Sequence, residues 1–212
     1  MTRSSSSPSP GRPRSAQARR AVLDAARTLF EEQGYAAATI EAIAARSGVA
    51  KTTIYRSWPS RAAVLVDVLV EMATTLVPPP RGGDPIRAMA AELRGIARAI
   101  NGPLGRLLTS LLGDAQVEPQ VRSVLIERLF GPRSQASANN ISRAQAGGTL
   151  RPDVPPRVAI DLLVGPLFYR MFVQHEPVTD TFVKQVLRYV VEGLHPRAIA
   201  TRRRGRRAAS AR

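Results

Sequence analysis

One short segment, Lys51–Ser57 (KTTIYRS), brings together an ammonium, a guanidinium, hydroxyl groups and a phenol around a single aliphatic residue, Ile54. Lysine can donate to O6 or N7 of guanine, and threonine can combine a hydroxyl bond with a methyl contact to thymine. Arginine and tyrosine donate readily to phosphate oxygens. An ordinary helical hairpin in an all-α core would not need these donors. The residue types therefore indicate contact with a nucleic acid.

The residues on the N-terminal side of this segment predict how it is positioned. Thr39 is a suitable N-cap because its side-chain oxygen can accept an otherwise unpaired backbone N–H. Ile40 and Ile43 follow at helical spacing, and Gly48 permits the left-handed conformation that ends a helix. A second short helix, from Lys51 to Arg56, then leaves at an angle. This is the layout of a helix-turn-helix, whose second helix enters the major groove of DNA.

The stretch from Gly48 to Arg61, GVAKTTIYRSWPSR, resembles the DNA-reading segment of the tetracycline-repressor (TetR) family. In that family the N-terminal half of the second helix faces base edges, while flanking residues bind phosphates. The DNA contacts that the resemblance implies are base contacts by Lys51, Thr52 and Thr53, phosphate contacts by Thr39, Tyr55 and Arg61, and a contact of either kind by Arg56.

Two positions depart from the family pattern. Ala50 stands where serine often caps the reading helix, and the loss of a cap costs about 1 kcal/mol in typical helices. Ser57 stands where related chains often carry a larger basic or aromatic residue. The first departure predicts a weakly capped reading helix, and the second prevents direct transfer of a relative's operator sequence.

The net charge of +15 is concentrated at the two ends of the chain. Residues 1–20 contain five arginines and residues 201–212 contain six, and neither segment contains an acid. Such tails attract any polyanion without regard to sequence. They leave open an alternative function, a non-specific architectural DNA-binding protein that acts through its basic tails.

Residues suited to catalysis or metal binding are scarce. The chain contains no cysteine, and its two histidines are His175 and His195, near predicted helix ends. We find no glycine-rich phosphate loop, nucleophile elbow or helical histidine pair. We therefore expect no catalytic residue, no metal site and no cofactor, and a protein that is not an enzyme.

The apolar segments and the N-terminal sequence give an expectation for the compartment. The longest apolar segments, around Val64–Val77 and Val158–Val173, are interrupted by charged residues and are too short to span a bilayer. The N-terminal sequence MTRSSSSPSPGRPRS lacks the apolar run of a signal peptide. We expect no membrane partner and a cytoplasmic location.

Hydrophobic periodicity predicts helices and no convincing β-strand, so the chain is predicted to be all-α. The run Pro78–Pro80, followed by two glycines, should stop a helix and marks a domain boundary. The motif Gly131-Pro132 predicts a break or kink in a later helix. The predicted organisation is a disordered tail at 1–14, a three-helix helix-turn-helix DNA-binding domain within 15–77, a helical C-terminal domain at 84–196 and a disordered basic tail at 197–212.

The segment VGPLFYRMFVQHEPVT, residues 164–179, also resembles a C-terminal domain type found in one branch of the TetR family. The resemblance thus covers about residues 15–196 and implies a domain that binds a ligand and forms a dimer through its last two helices. The candidate ligand contacts are Leu107, Leu111, Phe130, Phe168, Tyr169 and Phe172. The candidate dimer contacts are Phe182, Val186, Tyr189 and Val190.

Together these patterns predict a TetR-type transcriptional regulator, most often a repressor in this family. It would bind a palindromic double-stranded DNA operator as a homodimer, because one short reading helix makes too few contacts for specificity. A small apolar effector of unknown identity would release it. A helical small-molecule carrier is a third possibility, but it leaves the helix-turn-helix unexplained.

Overall fold

The computed structural model describes residues 11–78 and 83–196, and within these ranges the chain forms ten α-helices and no β-strand. The all-α prediction is confirmed. The first helix begins at Gly11, within the tail predicted to be disordered at 1–14, and residues 1–10 of that tail and the tail predicted at 197–212 lie outside the described ranges. The helices are α1 (Gly11–Gln33), α2 (Ile40–Ser47), α3 (Lys51–Ser57), α4 (Arg61–Leu76), α5 (Pro85–Ile100), α6 (Pro103–Val117), α7 (Pro119–Leu125), α8 (Gly131–Ala146), α9 (Pro156–Phe172) and α10 (Asp180–Gly193).

The first three helices share a small apolar core. Leu23 and Phe30 of α1 are buried on the face that packs against α2 and α4. Ile43 of α2 and Ile54 of α3 are completely buried, and Trp58 directly after α3 is almost completely buried. Because these side chains fill one core, α3 is held at a fixed angle to α2 with its polar residues outside.

Helix α4 belongs to both halves of the protein. Every residue from Ala62 to Leu69 is buried, which requires neighbours on all sides of the helix. Those neighbours are α1 on one side and α5, α6 and α7 on the other. The boundary predicted at Pro78–Pro80 therefore follows a helix that is already packed against the C-terminal half.

A π-helical turn, Ile126–Phe130, joins α7 to α8 at the position where the sequence predicted a break or kink. Pro132 has no backbone N–H, so the carbonyl of Arg128 loses its usual partner four residues later. The N–H of Gly131 bonds instead to the carbonyl of Ile126, five residues earlier. The chain thus widens by one residue without breaking, and this turn, which we call the π turn, lies against α4.

The C-terminal half packs α5 against α6, α8, α9 and α10. The side chain of Asn101, after α5, both donates to the carbonyl and accepts from the N–H of Val178, each at 2.9 Å. These two hydrogen bonds fix the loop before α10 to the end of α5. Among the described helices, none is long and apolar enough to cross a membrane.

Candidate functional site

The helix-turn-helix has the caps that its sequence predicts. Thr39 accepts the N–H of Ala42 through its hydroxyl oxygen at 3.1 Å, with extended backbone angles typical of an N-cap. Gly48 has a φ of 69° and donates its N–H to the carbonyl of Ala44 at 3.0 Å. That left-handed residue ends α2 and turns the chain into α3.

Helix α3 has one packed face and one polar face. Ile54 and Trp58 hold it to the core, whereas Lys51, Thr52 and Arg56 are exposed. Of the other predicted contacts, Tyr55 is 50% exposed, Thr53 is partly buried at the edge of the polar face, and Thr39 is partly buried at the start of α2. Ala50 occupies the N-cap position and has no side-chain acceptor, as its sequence indicates.

An ion pair holds Lys51 across the turn of the motif. Its ammonium lies 2.9 Å from Oε1 of Glu41 on α2, and both side chains are exposed. The hydrogen bond from Lys51 lowers the pKa of Glu41, and the same bond raises the pKa of Lys51. Lys51 therefore stays charged near neutral pH, and the base contact predicted for it would require it to leave this carboxylate.

Arg61, the first residue of α4, faces the C-terminal half. Its guanidinium carbon lies 4.4 Å from the centre of the Tyr35 ring, and one nitrogen lies 3.7 Å from Oδ2 of Asp114 on α6. The Tyr35 hydroxyl donates to the same Asp114 oxygen at 2.5 Å. Burial and the neighbouring Asp114 raise the pKa of Tyr35, so it remains a donor. The phosphate contact implied for Arg61 stays a prediction.

A second polar cluster, which we call the Asp67 cluster, joins three parts of the molecule through one buried carboxylate on α4. Asp67 is 6% exposed and accepts the indole N–H of Trp58 at 2.8 Å. It also accepts from Arg19 of α1 at 2.6 Å and from Arg128 of the π turn at 2.6 Å. The Arg19 guanidinium lies 5.0 Å from the centre of the Trp58 ring.

The chemistry of the Asp67 cluster favours an ionised carboxylate. Burial raises the pKa of Asp67, but hydrogen bonds from Trp58, Arg128 and Arg19 outweigh it and hold the pKa below its usual value. The end of α3 is thus tied through one charge to the C-terminal half. Sequence reasoning missed this role, having seen Asp67 only as a charge interrupting an apolar segment.

A cavity of about 120 Å³ lies inside the C-terminal half, walled by α4, α5, α6, the π turn, α8 and α9. Of the predicted ligand contacts, its wall includes Phe130 and Phe168. Helix α6 presents Leu104 and Leu108 to the cavity, whereas the predicted Leu107 and Leu111 are buried in the core outside the wall as described. This cavity thus has a different face of α6 in its wall, and the ligand contacts expected of Leu107 and Leu111 stay predictions.

The two remaining ligand candidates also lie outside the cavity wall as the structure describes it. Tyr169 is 57% exposed on the outer face of α9. Phe172 is partly buried and stacks on Phe168, with ring centres 5.5 Å apart. Phe168 therefore faces the cavity, whereas Tyr169, about 100° further round α9, faces outward.

The cavity also has polar residues that sequence reasoning missed. Glu92 of α5 and Arg133, Ser134 and Ser137 of α8 all line its wall. A signal was present for Glu92, which follows Met89 by three positions and so falls on the apolar face of α5. Within the described residues, no group of three acidic or histidine side chains could hold a metal ion.

The outer face of α9 carries an apolar stripe. Val158, Leu162, Tyr169 and Val173 recur at helical spacing and are all exposed in the single chain. Tyr189 of α10 is exposed as well.

The other predicted dimer contacts on α10 are less available to a partner. Val186 is buried within its own chain, and Val190 is partly buried. Phe182 lies under the guanidinium of Arg170, with 4.6 Å between the guanidinium carbon and the ring centre. The stripe on α9 therefore adds apolar surface that the predicted contact list omitted.

Two sequence profiles together span most of the chain. The profile described as bacterial regulatory proteins of the tetR family matches residues 22–68, which contain the helix-turn-helix. The profile described as the tetracyclin repressor-like C-terminal domain matches residues 79–190.

Relatives that align over most of the chain are also helix-turn-helix transcriptional regulators. The uncharacterised HTH-type transcriptional regulator YdeS of Bacillus subtilis is 31% identical over 184 residues, which cover 87% of this chain and 93% of YdeS. The crystal structure of the TetR family regulator SCO0332 is 32% identical, with a TM-score of 0.74, covering 85% of this chain and all of that one. The repressor FadR of Thermus thermophilus, solved with lauroyl-CoA, shares the fold at 21% identity and a TM-score of 0.67, covering 86% of this chain and 97% of FadR. The chain belongs to the TetR family of helix-turn-helix transcriptional regulators.

Proposed function

We propose that this regulator is a repressor that binds a palindromic operator as a homodimer and leaves it when a small, largely apolar ligand fills the C-terminal cavity. The observation that carries the proposal is the connection from the cavity wall to the DNA-facing helix through the Asp67 cluster. Since regulators of transcription act where the DNA is, we place the protein in the cytoplasm.

Base reading is assigned to the exposed start of α3. Lys51 and Thr52 project from its first turn, with Thr53 beside them at the edge of the polar face. An ammonium selects guanine acceptors, whereas a threonine methyl group favours thymine. Arg56, one helical turn further on, is long enough to reach either a base or the backbone.

Phosphate contacts are assigned to residues around α3. Tyr55 is half exposed on the same helix and can donate its phenol. Thr39 uses its hydroxyl oxygen to cap α2, which leaves its O–H hydrogen to donate to a phosphate at the N-terminus of that helix. Arg61 would contribute through the guanidinium N–H groups that face away from Asp114.

Dimerisation is assigned to α9 and α10. The stripe on α9 and the exposed Tyr189 of α10 present apolar surface that is unusual to leave in water. A two-fold axis beside these helices would build a four-helix bundle, in which the same surface of each chain contacts the other. Phe182, Val186 and Val190 would support this surface from within α10. A dimer places two reading helices on successive major grooves, which one chain cannot do.

The response to a ligand is assigned to the π turn. Leu129 and Phe130 line the cavity, and the preceding residue, Arg128, binds Asp67. A ligand that displaces these side chains changes how Arg128 holds the carboxylate that also binds Trp58, at the end of α3. Coupling of this kind requires the ligand to bind the DNA-free arrangement more tightly than the DNA-bound one.

A gel-shift titration against the DNA upstream of the protein's own coding region tests the proposal. The full chain and a chain without residues 1–10 and 197–212 are titrated against that DNA and against a shuffled duplex. We expect both chains to prefer the upstream DNA by a similar factor. Equal binding to both duplexes, lost when the arginine-rich ends are removed, would support the architectural alternative and exclude a repressor.

A further inference from the structure

The cavity has an apolar body and a single polar end. Ile96, Ile100, Leu104, Leu108 and Phe168 supply its apolar wall. The polar side chains are Glu92 of α5 and three residues within little more than one turn of α8, and Ser137 of that turn donates to Glu92, so they lie together at one end. A ligand that fills this space must therefore have an apolar body and one polar head.

Glu92 is the acceptor at the polar end. It is partly buried, and the Ser137 hydroxyl donates to its Oε1 at 2.7 Å. Burial raises the pKa of Glu92, and the bond from Ser137 and the charge of Arg133 only partly oppose that effect. The carboxylate is thus short of donors and would gain from one supplied by a ligand.

Arg133 is the donor at the same end. Its Nη2 donates to the carbonyls of Ala73 at 2.6 Å and Val77 at 3.1 Å, near the end of α4. Burial lowers the pKa of Arg133, and the charge of Glu92 opposes that effect. These two carbonyl bonds keep the cation at the cavity wall, where its remaining N–H groups can donate to a ligand.

Opposite charges at one polar end select against a charged head. An ammonium would be attracted by Glu92 but repelled by Arg133, whereas a carboxylate would be attracted by Arg133 but repelled by Glu92. A neutral group that both donates and accepts satisfies the two residues together. We propose that the effector is an uncharged hydrophobic molecule with a hydroxyl-type head, such as a phenol, that donates to Glu92 and accepts from Arg133.

The cavity size supports a single-ring body. A dry apolar cavity of about 150 Å³ accommodates benzene, and the present cavity is slightly smaller at about 120 Å³. One ring therefore nearly fills it, and any substituent on the ring must extend beyond it. A second cavity of about 370 Å³ adjoins it, with Glu92, Leu129 and Arg133 shared between the two walls. Arg128 lines that second cavity, so a longer ligand would reach the Asp67 cluster directly.

Four probes with one apolar frame test this inference by calorimetric titration of the full chain. They are 4-isopropylphenol, 4-isopropyltoluene, 4-isopropylbenzoate and 4-isopropylbenzylamine, which differ mainly in the head. We expect the phenol to bind at least about tenfold more tightly than each of the others, because it alone satisfies both residues. Equal affinities, tighter binding of a charged probe, or no binding of the phenol would overturn the inference.

A change of charge at Glu92 tests the assignment of the polar end. In Glu92→Gln the cavity keeps Arg133 and loses the opposing carboxylate, so we expect 4-isopropylbenzoate to bind at least about tenfold more tightly than it does to the unchanged protein. Glu127→Gln, which alters an exposed carboxyl of the π turn, is the matched control and should leave all affinities unchanged. An unchanged benzoate affinity in Glu92→Gln would contradict the assignment.

The inference rests on the proposed function only in taking this cavity as the effector site. The probe titrations contain no DNA, so they stand or fall independently of operator binding. If the phenol binds as expected but does not release the operator, the ligand chemistry is upheld and the proposed release mechanism fails. If the operator is bound specifically but the phenol does not bind, the ligand chemistry fails and the DNA-binding part of the proposed function stands.

Discussion

Arg128 donates to Oδ1 of Asp67 at 2.6 Å, although the two residues lie 61 positions apart in the sequence. Oδ2 of the same carboxylate accepts the indole N–H of Trp58 at 2.8 Å. One buried carboxylate therefore joins the π turn beside the cavity to the end of the reading helix. This is a short physical connection between a ligand-sized space and the DNA-facing surface.

Replacing Arg128 tests whether that connection carries the response. In Arg128→Leu, Arg19 and Trp58 still bind the carboxylate, so we expect the free energy of unfolding to fall by only about 1 kcal/mol. Operator affinity without ligand should stay within about threefold, whereas release by a bound effector should weaken by about tenfold or more. Fluorescence anisotropy of labelled operator, with and without 4-isopropylphenol, measures both.

The control for that variant is Arg122→Leu, which removes an exposed arginine from α7. It should match the unchanged protein in both measurements. Normal release by Arg128→Leu would show that the Asp67 cluster is structural and that the signal follows another route.

Asp67 should make a stability contribution that depends on pH in a defined direction. Its folded-state pKa is lowered, so the stabilisation is present above the unfolded value of about 3.9 and is lost as the pH falls through the folded pKa. At pH 7 we expect Asp67→Asn to lower the free energy of unfolding by about 2–4 kcal/mol. Urea titrations should show this difference narrowing below about pH 4, and a difference independent of pH would contradict the ionic role.

Two substitutions on α3 should have different consequences for DNA binding. Tyr55→Phe removes a phosphate donor, so we expect all sequences to be bound more weakly by about 1 kcal/mol, with no change in preference. Lys51→Ala removes a base contact, so we expect the preference at one base pair to fall by about 1–3 kcal/mol. Competition gel shifts with single-base operator variants measure both, and an unchanged preference in Lys51→Ala would refute the assignment of base reading.

An acidic residue placed in the stripe on α9, or at Tyr189 on α10, should separate the dimer. We expect Leu162→Asp, or Tyr189→Asp, to give monomers in light scattering, because each would bury an unpaired charge in the interface. Operator affinity should fall by on the order of 10²-fold, since the second half-site no longer binds through a linked partner. Val117→Asp is the control, because Val117 is equally apolar and 78% exposed at the far end of α6. If both Leu162→Asp and Tyr189→Asp kept the mass of a dimer, the interface would lie elsewhere.

The parts of the fold that local chemistry determines could be predicted from the sequence. Thr39 and Gly48 mark the ends of α2 by cap chemistry that acts within a few residues, and the structure has both caps. The same holds for Gly131 and Pro132, where a missing N–H made an irregular turn predictable. The form it takes, a π turn that packs against α4, was not predicted.

The parts of the site that depend on distant residues could not be predicted. Tyr35 and Asp114 are 79 positions apart, and nothing in either local sequence indicates the other. On α6 the leucines cover more than one face, so periodicity alone could not choose Leu104 and Leu108 over Leu107 and Leu111 for the cavity wall. That choice is made by the helices that surround α6 in the folded chain.

Selection from random DNA tests the central claim most directly. The full chain is used to enrich a pool of random duplexes, and the enriched sequences are compared with those obtained with Lys51→Ala. The account predicts an inverted repeat with half-site centres about 34 Å apart, or a multiple of that distance, and a changed base in each half-site for the variant. A pool with no enriched sequence, or the same enriched sequence for both proteins, would contradict it.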